Sequence, residues 1–257
     1  SRCGSADVLE ALGIDLAVAP DKQHEVLQSA NIAFFLAPAH HPALRHAAMA
    51  RKELGIRTIF NALGPLANPA GATHQIVGVY TESLRSAMAE ALLNLGSKRA
   101  WVVRSTDGLD EISPFAETRV TEVIEGAAMR ELLVSPEDFG IDRIPAESRS
   151  ALEGGDAAYN AKAIEAILSG QPHPATGAVI LNAAAAIYLA RPDHDLRACA
   201  EHARSVIASG KAAQTLSCWR LATAPRPPAT ENNVPRTSSS LAGAAHPQNP
   251  STKVTPP

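Results

Sequence analysis

R-A-W-V-V-R-S-T-D-G-L-D-E-I-S, residues 99–113, is the stretch from which both the fold and the chemistry of this chain can be read. Its apolar run, 100–103, reads as a buried strand. The turn that follows contains Gly108 and carries two adjacent carboxylates, Asp110 and Glu111, with Asp107 just ahead of them. A turn at a strand end can aim carboxylate oxygens into a cleft. Hard cations such as Mg²⁺ take oxygen ligands and commonly share them with substrate phosphates. Taken alone, the turn reads first as a solvated acidic loop. Two companions argue for more: G-S-A-D at 4–7 and N-A-L-G-P-L-A-N-P at 61–69.

Outward from this strand, helical and extended patterns alternate. Helices are expected over 6–12, with Ser5 as N-cap and Gly13 behind it, over 42–54, with Pro42 at the first position, and over 83–95, stopped by Gly96. Strands are expected at 32–37, 74–80 and 99–104. A β pair is expected at 119–124 and 129–134, then a helical turn at 136–139. Three helices close the body, at 156–169, 176–190 and 195–213. This order predicts an α/β fold, a layered sheet with flanking helices on both faces. Ligands in such sheets bind outside the strand ends, where the 107–113 turn lies.

The expected domain, 1–216, gives way at residue 217 to a Pro/Ser/Thr-rich tail. Residues 217–257 contain eight prolines and a net charge of +3, leaving the body at −6. Such a segment has too little apolar surface to offset its ordering entropy, so 217–257 is expected to be disordered. Hydrophobic residues make up 46% of the chain and aromatics 4%, so the core is built of Ala, Leu, Ile and Val. The formal charge of −3, with no basic patch, argues against nucleic acid, and no basic amphipathic stretch suggests a membrane surface. The apolar run 178–190, interrupted by Asn182, is too short to span a bilayer. Three scattered cysteines fit a reducing cytoplasm rather than a disulfide framework.

Other candidates have two readings each. A helix opening at Gly4-Ser5 offers free N–H groups to a phosphate, but Ser5 could simply cap the helix, and Asp7 would repel an anion. His40 and His41 cannot both face one small ligand. Arg51, on a partly buried helix face, needs an anionic partner, either a structural carboxylate or a substrate carboxylate. The 61–69 segment, with Gly64, Pro65 and Pro69, reads as a rigid shaped loop, either lining a pocket or merely connecting. No Ser-His-Asp or Cys-His nucleophile, Walker loop or GxGxxG stands out.

Taken together, G-S-A-D-V-L-E-A-L-G (4–13), H-P-A-L-R-H (41–46), R-K-E-L-G-I-R-T-I-F-N-A-L-G-P-L-A-N-P (51–69) and D-G-L-D-E-I-S resemble the anthranilate phosphoribosyltransferases. G-G-D-A-A (154–158) and L-N-A-A-A-A (181–186) continue the likeness, which covers about residues 1–216. The resemblance implies a nucleoside phosphorylase/phosphoribosyltransferase-like catalytic domain. It implies transfer of the phosphoribosyl group of phosphoribosyl pyrophosphate to anthranilate in tryptophan biosynthesis, with Mg²⁺ as cofactor. By the same resemblance Asp110 and Glu111 match the metal pair, and Ser5 matches a contact to phosphoribosyl pyrophosphate. Ser1 matches the end of the preceding contact loop, and Arg51 matches the arginine that binds the anthranilate carboxylate.

The chain also departs from the family. Its N-terminal helical region, its G-T-G-G-D loop and its K-H-G-N segment do not occur in these 257 residues, and Cys3 stands where Ser is usual. The expectation is a family member lacking its first part, slow by itself, and a homodimer only in the complete protein. A pyrimidine nucleoside phosphorylase-like enzyme and a non-catalytic remnant of the fold are the competing readings.

Overall fold

The computed structural model describes residues 3–40 and 60–225. Ser1, His41, Arg51, the expected helix over 42–54 and residues 226–257 lie outside the described residues.

Four strands form one sheet in the order β1 (His74–Gly78), β2 (Arg99–Ser105), β3 (Thr118–Ile124) and β4 (Arg130–Val134). The pair β1–β2 is parallel, with Ile76 opposite Trp101, and the other two pairs are antiparallel. A parallel pair needs a crossover. It is supplied by a helix at Ser83–Asn94, which ends at Gly96 with φ +86°. β3 and β4 form the expected hairpin, closed through Gly126 at φ +76°.

Alternation along β2 divides the core in two. Ala100 and Val102 face the crossover helix, where they meet Val77, Met88, Leu92 and Val123. Trp101 and Val103 face the opposite side, with Val120, Ile112, Leu181 and Ala184. Both faces of β2 are buried, which is why it reads as a continuous apolar run rather than an alternating one.

The described helices, in chain order, are α1 (Ser5–Ala11), α2 (Gln23–Ala30), α3 (Ala37–His40), α4 (Phe60–Leu66), α5 (Ser83–Asn94), α6 (Ala157–Leu168), α7 (Thr176–Ala190), α8 (Leu196–Ala208) and α9 (Lys211–Thr223). Asp156 and Asp195 cap α6 and α8, accepting from the Tyr159 and Ala198 N–H groups. A separate helical core joins α1, α2, α6 and α9 through Leu12, Val26, Ala161, Leu216 and Trp219.

Five expectations change. Residues 32–36 form no strand; among the described residues no strand pairs with them, and a strand needs a ladder partner. The 61–69 segment is helical in its first part, as α4, with Pro65 inside it. So short a helix has few internal hydrogen bonds for a proline to remove. Gly4, not Ser5, occupies the N-cap of α1, and the Gly4 N–H donates to Asp7 Oδ2 at 2.8 Å. The single helix expected over 195–213 is two, because Gly210 adopts φ +72° between α8 and α9.

The last change moves the expected domain boundary. Residues 217–223 are folded as the end of α9, not as tail. Leu216, Trp219 and Thr223 recur at helical spacing and are all buried. Arg220 ties the helix down by donating to the Leu12 carbonyl and to Glu165.

Candidate functional site: an acidic turn at the end of β2

β2 delivers the chain into the turn at Ser105. The Ser105 N–H donates to the Leu109 carbonyl at 2.9 Å, and Gly108 takes φ +97°, a conformation that favours glycine. Asp107 is the anchor of this turn. It accepts from the Ser105 hydroxyl, the Ser113 hydroxyl at 3.0 Å and the Arg149 guanidinium. Burial pushes its carboxyl upward, but these hydrogen bonds, the Leu109 N–H and the Arg149 charge outweigh that and hold it below the usual carboxylate range. With both oxygens so engaged, Asp107 serves the turn rather than a ligand.

Asp110 and Glu111 follow on the exposed side of the turn. Beneath Asp110 lies Gly78, the last residue of β1. A Cβ built on Gly78 would fall 1.6 Å from the Asp110 carbonyl oxygen, so the turn reaches this position only over a glycine. After Glu111, Asn182 of α7 grips the backbone of Ile112. Its Oδ1 accepts the Ile112 N–H at 3.0 Å and its Nδ2 donates to the Ile112 carbonyl at 3.0 Å.

Glu111 lines a cavity of about 590 Å³ together with Leu109, Phe115, Arg149 and Asn182. Its side chain has an open edge, but it lies in a concave wall. Burial there, then the neighbouring charges of Asp110 and Asp107, raise its carboxyl above the usual range. Two adjacent carboxylates, one raised by crowding, lower their mutual repulsion by sharing a cation. Among the described residues no group of three or more His, Cys, Asp and Glu could hold a metal. Two adjacent carboxylates suit Mg²⁺, which takes one or two protein carboxylates and completes its shell with water and phosphate.

A second cavity, about 550 Å³, adjoins the first and shares Leu152, Glu153, Ala175 and Val179 with it. Ser5 lines this one, with Phe34, Tyr159 and Trp219. The loop before α1 rests on the turn at Gly154 and Gly155: Asn160 Nδ2 donates to Cys3 Sγ at 3.1 Å, and Asn160 Oδ1 accepts the Gly155 N–H at 2.9 Å. Thus G-S-A-D and G-G-D-A-A, far apart in sequence, meet in space. Ser5 and Glu111 belong to neighbouring cavities, whereas Ser1 and Arg51 lie outside the described residues.

Sequence reasoning alone missed the roles of Gly78, Arg149 and Asn182. Gly78 interrupts an apolar strand, a signal of close backbone approach. Asn182 is the one amide inside the apolar run 178–190. Arg149 carries no local signal.

Among curated proteins, the chain is 44% identical over 217 residues to an anthranilate phosphoribosyltransferase of Myxococcus xanthus, covering 84% of this chain and 63% of that protein. Among solved structures, it is similar to the anthranilate phosphoribosyltransferase of Thermus thermophilus, with a TM-score of 0.78 and 41% identity over 87% of this chain and 65% of that one. It is also similar to the enzyme of Saccharomyces cerevisiae in complex with PRPP and Mg, with a TM-score of 0.77 and 27% identity, covering 86% and 62%. The chain thus spans just under two thirds of the length of these relatives. The profile described as "Glycosyl transferase family, a/b domain" matches residues 1–213, and the chain belongs to that family.

Proposed function

We propose that this chain is the α/β catalytic part of an anthranilate phosphoribosyltransferase, acting in tryptophan biosynthesis in the cytoplasm. The observation that carries the reading is the adjacent carboxylates Asp110 and Glu111 on the turn beyond the end of β2, Asp110 exposed and Glu111 on the wall of the cavity there. In the reaction the bond between C1 of the ribose and pyrophosphate breaks, a bond from the anthranilate nitrogen to C1 forms, and the amine loses a proton. Mg²⁺, when bound, neutralises charge on the departing pyrophosphate. Asp110 and Glu111 hold that cation. Ser5 contacts the donor from the adjoining cavity, and Ser1 stands at the end of the preceding contact loop. Arg51 grips the acceptor carboxylate, and its forked guanidinium orients the amine toward C1. A homodimer belongs to the complete protein. Among the described residues no helix is long and apolar enough to cross a membrane.

Loss of anthranilate fluorescence, followed with phosphoribosyl pyrophosphate and Mg²⁺, tests the reading in a protein carrying the family's G-T-G-G-D segment ahead of Ser1. Replacing Asp110 by Asn and Glu111 by Gln should cut turnover by orders of magnitude while the fold survives. Undiminished turnover at saturating Mg²⁺ in that double variant would overturn the assignment. Arg51→Ala should raise the KM for anthranilate by about ten- to a hundredfold, the scale of one charged hydrogen bond, and leave that for the donor much less affected.

A further inference from the structure

We infer that Asn182 is a positioning residue for the carboxylate pair: from α7 it fixes the backbone on one side of Glu111 and so sets how tightly the pair holds a cation. The inference rests on reading Asp110 and Glu111 as metal ligands.

An amide is the side chain this contact requires. The Ile112 peptide presents an N–H donor and a carbonyl acceptor, and Asn182 answers both at 3.0 Å while Nδ2 also reaches the Ala178 carbonyl at 3.0 Å. A carboxylate has no donor to offer the two carbonyls, and an aliphatic chain satisfies neither group. Asn competes with the helix backbone for hydrogen bonds and is a poor choice inside an apolar helical run, so its cost there is offset by some other contact. That contact is the acidic turn.

The turn is held on both sides of the ligand pair. Before it, the Asp110 carbonyl lies against Gly78. After it, Ile112 is clamped by Asn182 and its side chain is fully buried. The peptide of Glu111 lies between these two fixed points. Asn182 also lines the same cavity as Glu111, so the clamp acts at the wall where a cation and its phosphate would sit. Loosening it lets two like-charged carboxylates move apart, and a cation then has to gather them again.

The test uses the 257-residue chain and Mn²⁺ alone as probe, with free Mn²⁺ read by electron paramagnetic resonance. Asn182→Leu is expected to weaken Mn²⁺ binding about ten- to a hundredfold, the usual effect of losing a partner that orients metal ligands. Leu189→Ala, a buried change further along the same helix, should lower the melting temperature and leave Mn²⁺ affinity at the wild-type value. Wild-type affinity in Asn182→Leu, beside weak binding in Asp110→Asn/Glu111→Gln, overturns the positioning role while the metal reading stands. Equal weakening by Leu189→Ala overturns it too, by making the effect one of general stability. A wild-type chain that leaves Mn²⁺ free, or a double carboxylate variant that binds it as well as wild type does, overturns the metal reading and the positioning role with it.

Discussion

Gly78 and Asp110 touch backbone to backbone: the carbonyl oxygen of Asp110 lies where a side chain on Gly78 would begin, 1.6 Å from the ideal Cβ position. The obstacle is main chain on both sides, so no rotamer change relieves it. The end of β1 thereby sets the depth at which the acidic turn sits.

Gly78→Ala should therefore displace the turn. Overpacking of this kind costs about 1–3 kcal/mol, and here the strain falls on the turn that carries Asp110 and Glu111. A chemical melt should show the loss of stability, and amide exchange should show loss of protection around Ser105 and Ile112. Unchanged protection at both amides would mean that the turn adapts elsewhere.

Asp107 makes the turn sensitive to acid. Its folded pKa is lowered, so its stabilising contribution is complete above the ordinary carboxylate range. That contribution is lost as pH falls through the lowered folded value. Asp107→Asn should be less stable than wild type at neutral pH by about 1.5–3 kcal/mol, the worth of a hydrogen bond to a charged group. Urea melts from pH 7 downward should show the gap closing once wild-type Asp107 is protonated. A gap independent of pH would assign the loss to packing.

Glu122 is fully buried and shared by three donors. It accepts from Trp101 Nε1 at 3.1 Å, from Arg99 at 3.4 Å and from Arg130. Burial raises its carboxyl, but the Arg130 and Trp101 hydrogen bonds and the Arg99 charge outweigh that and lower it. Glu122→Gln leaves the Arg99 guanidinium buried over the Tyr188 ring without its counter-charge. Such breakage costs about 3–5 kcal/mol. The loss should appear in thermal melts, with Mn²⁺ affinity unmoved because Glu122 pairs across from Trp101, near the opposite end of β2 from the turn.

The folded body should end with α9. Trp219→Ala removes a buried aromatic from the helical core and should cost about 3–5 kcal/mol. Truncation after residue 216 should be at least as damaging, whereas truncation after residue 225 should leave the melting temperature unchanged. Equal melting temperatures for both truncations would return the boundary to residue 216.

How much of this was legible in the sequence follows from the range of the interactions involved. Short-range patterns decided the elements. The apolar run of β2, Gly96 and Gly126 with positive φ, and the aspartates that cap α6 and α8 act within a few residues of themselves. The acidic turn at a strand end was readable for the same reason, and so were the motifs that place the chain in its family. Only the tertiary structure showed how the three clustered acids differ in their partners. Asp107 is engaged by Ser105, Ser113 and Arg149, whereas Asp110 is exposed and Glu111 lines the cavity. It alone showed that Gly78 and Asn182 hold the pair from two other elements, because a backbone contact across a sheet and an amide reaching from a helix leave no periodic trace. It also folded residues 217–223 against α1 and α2. A short amphipathic stretch beside prolines looks like tail until the surface that buries Trp219 is present.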